Sequence, residues 1–256
     1  MSAKGDYTDV KAVVTGGTHG MGLAMARALL AGGAEVLVTG RNEGRVQAAR
    51  AELGSAAAHV VRSDAAAMAD VDAFGAQVAE RFGAIDALFV NHGTAAFAPL
   101  EEVTEESYDR HFAVNTKGAF FTVQRLAPLM KDGGAIVFTT VANERIFPGM
   151  SAYSGAKEGV RGFLRVLAAE FLPRGVRVNA VAPGFIDTPS MGIGVVSAEQ
   201  REEFMRDAHA MTPMGRPGSS EEVAAAAMFL AFDATFTTGA ELPVDGGFAQ
   251  GLPSVR

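Results

Sequence analysis

The feature that most constrains this chain is a regular alternation of two kinds of segment. Short runs rich in β-branched residues lie at 10–15, 35–39, 59–62, 87–91, 135–140, 176–181 and 241–244. Between them lie Ala- and Leu-rich stretches of helical periodicity at 22–31, 43–53, 69–82, 107–130, 151–172 and 220–231. Strand, helix, strand in that order implies parallel strands joined by crossover helices that cover both faces of one sheet. Strands buried on both faces read as unbroken apolar runs, as Ala12-Val13-Val14 and Val36-Leu37-Val38 do. The expectation is an α/β, doubly wound parallel sheet forming a single domain over residues 1–256. One stretch, 184–217, breaks the pattern with Gly, Pro and Met, and follows the sixth strand. Ligands of open α/β sheets bind beyond the carboxyl ends of the strands, so this stretch is the expected cover for a substrate.

Composition narrows the function classes. The chain has no cysteine, which excludes disulfides, thiolate nucleophiles and thiolate metal sites, and suits a reducing cytoplasm. No metal is expected. The first residues lack the apolar core of a signal peptide. No apolar run approaches the roughly 20 residues that cross a bilayer. A formal net charge of −7 argues against nucleic acid or an anionic membrane as partner.

The first strand ends in Thr15-Gly16-Gly17-Thr18-His19-Gly20-Met21-Gly22 and runs straight into a helix. Glycines at such a turn allow backbone to approach a pyrophosphate, and the free N–H groups of the helix start favour its charge. Strand, glycine turn and helix together point to a Rossmann-type nucleotide site. Further along stand Asn91-His92-Gly93, Asn115 within Val-Asn-Thr, Tyr153-Ser154-Gly155-Ala156-Lys157, Asn179, Pro183-Gly184 and Asp245-Gly246-Gly247. In order and spacing these motifs, covering residues 15 to 247, resemble the classical short-chain dehydrogenase/reductases, in particular ketoreductase-like members.

The resemblance implies a nicotinamide cofactor held by Gly16, Thr18, His19, Gly20, Met21, Gly22, Asn91, Gly93, Tyr153, Lys157, Pro183, Gly184, Ile186 and Thr188. Asp64 resembles the residue that contacts the adenine; its other reading is a cap on the third strand. Gly40 stands where NAD-dependent members carry an acid for the ribose hydroxyl, and Arg41 follows it. A missing carboxylate and a nearby guanidinium suit a 2′-phosphate, so NADP(H) is expected over NAD. His19 occupies a position where NADP-preferring relatives often carry a basic residue. The other reading makes Arg41 a solvated charge and His19 loop filler.

Tyr153 and Lys157 lie four residues apart, on one face of a helix. Reducing a carbonyl needs a hydride from the cofactor and a proton for the developing alkoxide. A phenol titrates near 10, too high for easy exchange at neutrality, and a neighbouring ammonium favours the phenolate. The resemblance makes Tyr153 the general acid/base, Lys157 its partner and ribose ligand, and Asn115 the holder of a relay water. The usual serine is replaced by Thr140, which keeps a hydroxyl for the substrate oxygen but restricts χ1. Thr139 is expected on the opposite face of the strand. A second departure is His92, where the family usually has alanine.

The cover stretch carries Phe185, Ile186, Met191, Ile193, Val195, Val196, Phe204, Met205, Met211 and Met214, which suits an apolar, adaptable pocket; the other reading is that several of them anchor the stretch to the core. The expected substrate is a small ketone or 3-oxoacyl group, or a secondary alcohol in reverse. The alternatives are an NAD-dependent alcohol dehydrogenase of the same family and a weakly catalytic cofactor-sensing protein. The long helices at 107–130 and 151–172 resemble those that pack between subunits, which implies a homotetramer. No Gly-x-Ser-x-Gly elbow is present, which disfavours hydrolase chemistry.

Overall fold

The computed structural model describes residues 5–144, 147–189 and 197–253. Seven parallel strands form one sheet. In chain order they are β1 (Lys11–Thr15), β2 (Glu35–Gly40), β3 (Ala58–Arg62), β4 (Ile85–Val90), β5 (Met130–Thr139), β6 (Arg177–Pro183) and, last in the chain, β9 (Glu241–Val244). Their spatial order is β3-β2-β1-β4-β5-β6-β9, so the chain reverses direction across the sheet between β1 and β4. That reversal leaves a crevice at the carboxyl ends of β1 and β4.

Helices cover both faces. On one side α1 (Gly20–Ala31), α2 (Glu43–Leu53) and α8 (Ser220–Met228) pack around Val14, Val36, Val38 and Phe89. On the other, α3 (Met68–Phe82), α5 (Ala119–Leu126) and α6 (Ser151–Phe171) enclose Leu88, Ile136, Phe138 and Val178. Alternate residues of one strand serve the two cores, as the pleat requires. Val137 joins the first cluster, Ile136 and Phe138 the second.

The structure departs from the sequence expectation in three places. The helix expected over 107–130 is α4 (Glu105–His111), a π-helical segment Phe112–Gly118, and then α5. It ends in a 3₁₀ turn, Ala127–Leu129, containing Pro128, and Met130 already belongs to β5. Pro128 has no N–H for an α-helical bond, and Gly133, at φ +81°, lets the strand bend where its register with β4 shifts. The 184–217 stretch is more ordered than expected. It holds β7 (Ile186–Asp187), which pairs in parallel with β8 (Gly218–Ser219) just beyond the stretch, and the 14-residue helix α7 (Ala198–Met211). A capping box between Ser197 and Gln200 starts that helix. Met191, Ile193, Val195 and Val196 lie outside the described residues. The last helix leaves α geometry after Met228 for a π turn over Phe229–Asp233. There the Arg177 guanidinium donates to the carbonyls of Leu230, Ala231 and Ala234. Among the described residues, no helix is long and apolar enough to cross a membrane.

Candidate active site

A cleft runs along the carboxyl ends of the central strands from Arg41 to Tyr153. Its floor is the turn between β1 and α1. Gly16 adopts φ +63°, and a methyl there would stand 2.6 Å from His92 Cα. A methyl on Gly22 would stand 2.4 Å from the Gly16 carbonyl oxygen and 2.5 Å from Asn91 Nδ2. These two contacts explain why the turn is built of glycine. α1 begins without a side-chain cap, and its first turn carries no acid. Its leading N–H groups therefore suit an anionic ligand, and the residues present fit the pyrophosphate of a dinucleotide.

At the adenosine end, Arg41, Asn42 and Arg45 line the cleft with His19. Arg45 was not singled out in the sequence, although it follows β2 as closely as the rule for a 2′-phosphate requires. Its Nη1 lies 3.0 Å from His19 Nε2. A guanidinium only donates, so the imidazole accepts and is neutral there. Burial and the Arg45 charge both push the His19 pKa down. His19 thus brings no positive charge of its own; it orients Arg45. Gly40 has no room for a side chain, because a Cβ would stand 2.4 Å from Thr18 Cγ2. Asp64 lines the cleft, accepts from the Ala66 N–H at 3.0 Å and stands 4.0 Å from Arg110, which favours the capping alternative.

Asn91 ties three strand ends together. Its Nδ2 donates to the Gly16 carbonyl at 3.0 Å, its Oδ1 accepts from Thr139 Oγ1 at 3.1 Å, and its N–H meets Thr15 Oγ1 at 3.1 Å. Beside it, His92 Nδ1 lies 2.8 Å from Thr15 Oγ1. Burial, assisted by the Lys157 charge, lowers its pKa to about 4, so this imidazole is neutral at physiological pH.

Tyr153 and Lys157 rise from the first turns of α6 into the same cleft. The phenol ring lies edge-on to Phe97 and His111, with centroids 5.8 and 6.2 Å away. The His111 ring is fixed, since its Nδ1 donates to the Ser107 carbonyl and its Nε2 accepts from the Ala96 N–H. Neither Phe97 nor His111 was read from the sequence; Phe97 lies in the irregular segment after β4, and His111 ends α4. Lys157, 5% exposed, donates to the Thr139 carbonyl at 2.8 Å. Burial raises the Tyr153 pKa to about 12 and lowers that of Lys157 to about 8. The lysine was expected to pull the phenol down. In this arrangement burial dominates at the phenol, and the ammonium is engaged by a main-chain carbonyl.

Two further residues have their side chains engaged by neighbouring backbone. Asn115 is buried in the π segment and both ends of its amide bond the Thr94 backbone at 2.8 Å. Its side chain clamps the turn after β4. Thr140 lines the cleft, and its hydroxyl lies 3.1 Å from the Val181 carbonyl and 2.5 Å from Glu241 Oε1. Thr139 faces the opposite side of the strand, onto Asn91. Thr18, Gly20, Met21, Gly93 and Thr188 line the cleft, whereas Gly22, Pro183, Gly184 and Ile186 are not among its described lining residues. Ile186 is buried with the first core cluster, and Gly184 packs on Asp245.

Comparison with known proteins identifies the family and the fold. A family model described as enoyl-(acyl carrier protein) reductase matches residues 16–249. A galactitol 2-dehydrogenase (L-tagatose-forming) of Cereibacter sphaeroides is 36% identical over 247 residues, 93% of this chain and 94% of that protein. The crystal structure of a levodione reductase superposes with a TM-score of 0.88 at 30% identity, covering 96% of this chain and 99% of that one. A blue fluorescent protein from a metagenomic library, solved in complex with NADPH, gives a TM-score of 0.86 at 32% identity over 95% of this chain and 99% of that one.

Proposed function

Since the chain belongs to the classical short-chain dehydrogenase/reductases, NAD(P)-dependent enzymes that act on alcohol and ketone groups, we propose that it interconverts an apolar ketone and its secondary alcohol using NADP(H). The observation that carries this reading is one cleft holding the glycine turn, Arg41 and Arg45 at one end and Tyr153 with Lys157 at the other. A bound nicotinamide would supply or take the hydride.

The side chains supply the rest. In the reductive direction Tyr153 donates its phenolic proton to the oxygen that gains charge. Burial disfavours the resulting phenolate, so the charge on Lys157 must compensate it. With its pKa near 8, Lys157 still carries that charge at pH 7. Phe97 beside the phenol is 51% exposed and gives the substrate an apolar wall. Phe185, Phe204 and Phe248 form an aromatic cluster that joins α7 to the segment after β9, which supports an apolar occupant under the cover. Thr140 is assigned to the substrate oxygen and Asn115 to holding the turn beside Lys157.

Preference for NADP(H) is supported by two guanidiniums near the end of β2 and by a neighbouring structure solved with NADPH. Val166 and Leu172, exposed at the end of α6, support self-association through that helix into a homotetramer. The test is a fluorescence titration with NADPH and NADH, followed by turnover of alkyl and aryl ketones with the tighter cofactor. Tighter NADPH binding and ketone-dependent oxidation are expected. Tight binding with no turnover of any ketone or alcohol would overturn the catalytic reading.

A further inference from the structure

After β4 the backbone over residues 91–99 forms neither helix nor strand, yet other elements hold it at three points. Thr94 gives its N–H to Asn115 Oδ1 and takes Asn115 Nδ2 on its carbonyl, both at 2.8 Å. Ala96 gives its N–H to His111 Nε2 at 3.0 Å. Ala98 gives its N–H to the Gly149 carbonyl at 3.0 Å. Phe97 therefore stands between two tethered residues, with its ring centroid 5.8 Å from that of Tyr153. Half of Phe97 faces solvent, so burial alone does not fix it.

One of the two flanking tethers is a side chain. His111, the last residue of α4, is buried. Its Nδ1 lies 2.7 Å from the Ser107 carbonyl, one turn back on its own helix. A carbonyl only accepts, so Nδ1 bears the proton and Nε2 presents its lone pair to Ala96. Both ring nitrogens are thus engaged, which fixes the tautomer and the orientation of the ring. The same ring stands edge-on to Tyr153, 6.2 Å between centroids. One imidazole meets the phenol assigned as proton donor and holds the residue before the apolar wall.

We propose that His111 is a positioning residue for substrate selection: by holding the Ala96 N–H it sets the gap between Phe97 and the Tyr153 phenol, and so the bulk that the site favours beside the carbonyl. The proposal rests on the reading of Phe97 as the wall of a ketone site. A fixed wall favours the ketone whose bulk reaches it. A wall that wanders must be ordered again at each binding event, which penalises the bulky ketone and spares one too small to touch it.

The probes are the bulkiest and the smallest ketones that the parent reduces. His111→Gln keeps the Ala96 bond, because its Oε1 reaches the place of Nε2. His111→Asn is one methylene shorter; it serves Ser107 and leaves Ala96 untethered. The Asn variant should lower kcat/KM for the bulky ketone about tenfold relative to the small one, chiefly through KM, while the Gln variant keeps the parent ratio to within about twofold. His111→Leu, which fills the volume without any acceptor, should follow the Asn variant. Phe97→Ala should lower the ratio as far, and in that background His111→Asn should add nothing. The Kd for NADPH should hold throughout. A merely structural role would reduce the active fraction and move both ketones in step. The proposal is overturned if the Gln and Asn variants behave alike, if both ketones fall together, or if the Asn effect survives in Phe97→Ala. A parent that reduces no ketone defeats the reading of the site and the proposal with it. A parent active on both ketones whose ratio ignores Phe97→Ala defeats the proposal and leaves that reading standing.

Discussion

Thr18 fills the space that a side chain at position 40 would need: a Cβ on Gly40 would lie 2.4 Å from Thr18 Cγ2 and 2.5 Å from its Oγ1. The residue that ends β2 and the residue inside the glycine turn are thus chosen together. The absence of an acid at the ribose position is a packing fact as well as an electrostatic one.

It follows that Gly40→Asp alone should not convert the enzyme to NADH. Overpacking at a filled site costs about 1–3 kcal/mol, and the new carboxylate would be displaced from the ribose. The single variant should melt several degrees lower and lose affinity for both cofactors. Gly40→Asp with Thr18→Gly should recover stability and bind NADH more tightly than the parent. Thermal denaturation and cofactor titration on the pair check this.

Arg45→Ala and Arg41→Ala should each raise the Kd for NADPH about tenfold while leaving that for NADH nearly unchanged, the scale of a lost charge-assisted bond. The NADPH preference of the parent should shrink with added salt, because the guanidiniums are partly in solvent. Equal losses for both cofactors would remove the 2′-phosphate assignment.

Tyr153→Phe should lower kcat at least about a hundredfold, the usual contribution of a placed proton donor, with the Kd for NADPH unchanged. Single-turnover kinetics with saturating cofactor separates the two effects. A variant within twofold of the parent in kcat would exclude Tyr153 as the proton donor.

Buried Lys157 has a linked effect on stability. Its pKa falls from 10.5 to about 8 on folding, so between these values the unfolded chain binds more protons and stability rises with pH. Below pH 8 the charged form carries the full burial cost. At pH 7 Lys157→Met should therefore be more stable than the parent by roughly 2 kcal/mol, after allowing for the lost bond to the Thr139 carbonyl. That advantage should vanish as pH approaches 10.5. Tyr153 acts oppositely above pH 10, where its raised pKa makes the folded state the better proton binder. Melting curves of both proteins from pH 7 to 10.5 test the crossing.

The alternation of strands and helices along the chain, the glycine turn and the Tyr153–Lys157 pair were legible because each rests on local pattern: apolar runs, glycine spacing, a helical interval. What escaped depends on pairs distant in sequence. Arg45 meets His19, 26 residues away, and the Thr140 hydroxyl meets Glu241, 101 residues away. The direction of the Thr140 hydroxyl is likewise a choice between two acceptors supplied by other strands. α7 was missed for a different reason. Its capping box, Ser197 to Gln200, was present to be read, but the surrounding Gly and Pro residues suggested irregular chain.

The π segment Phe112–Gly118 has a consequence for how this chain can vary in length. An α turn holds about 3.6 residues, and a π turn, closed by i→i+5 bonds, holds about one more. Removing one residue from the wide segment would close it to α geometry and leave Val123 and Leu126, now fully buried, near their present phase. A deletion within α5 would instead swing the residues after it by about 100°. What the shortened segment would lose is local, the hold of Asn115 on the Thr94 backbone. At this one place the length of the chain is set by the site and not by the core.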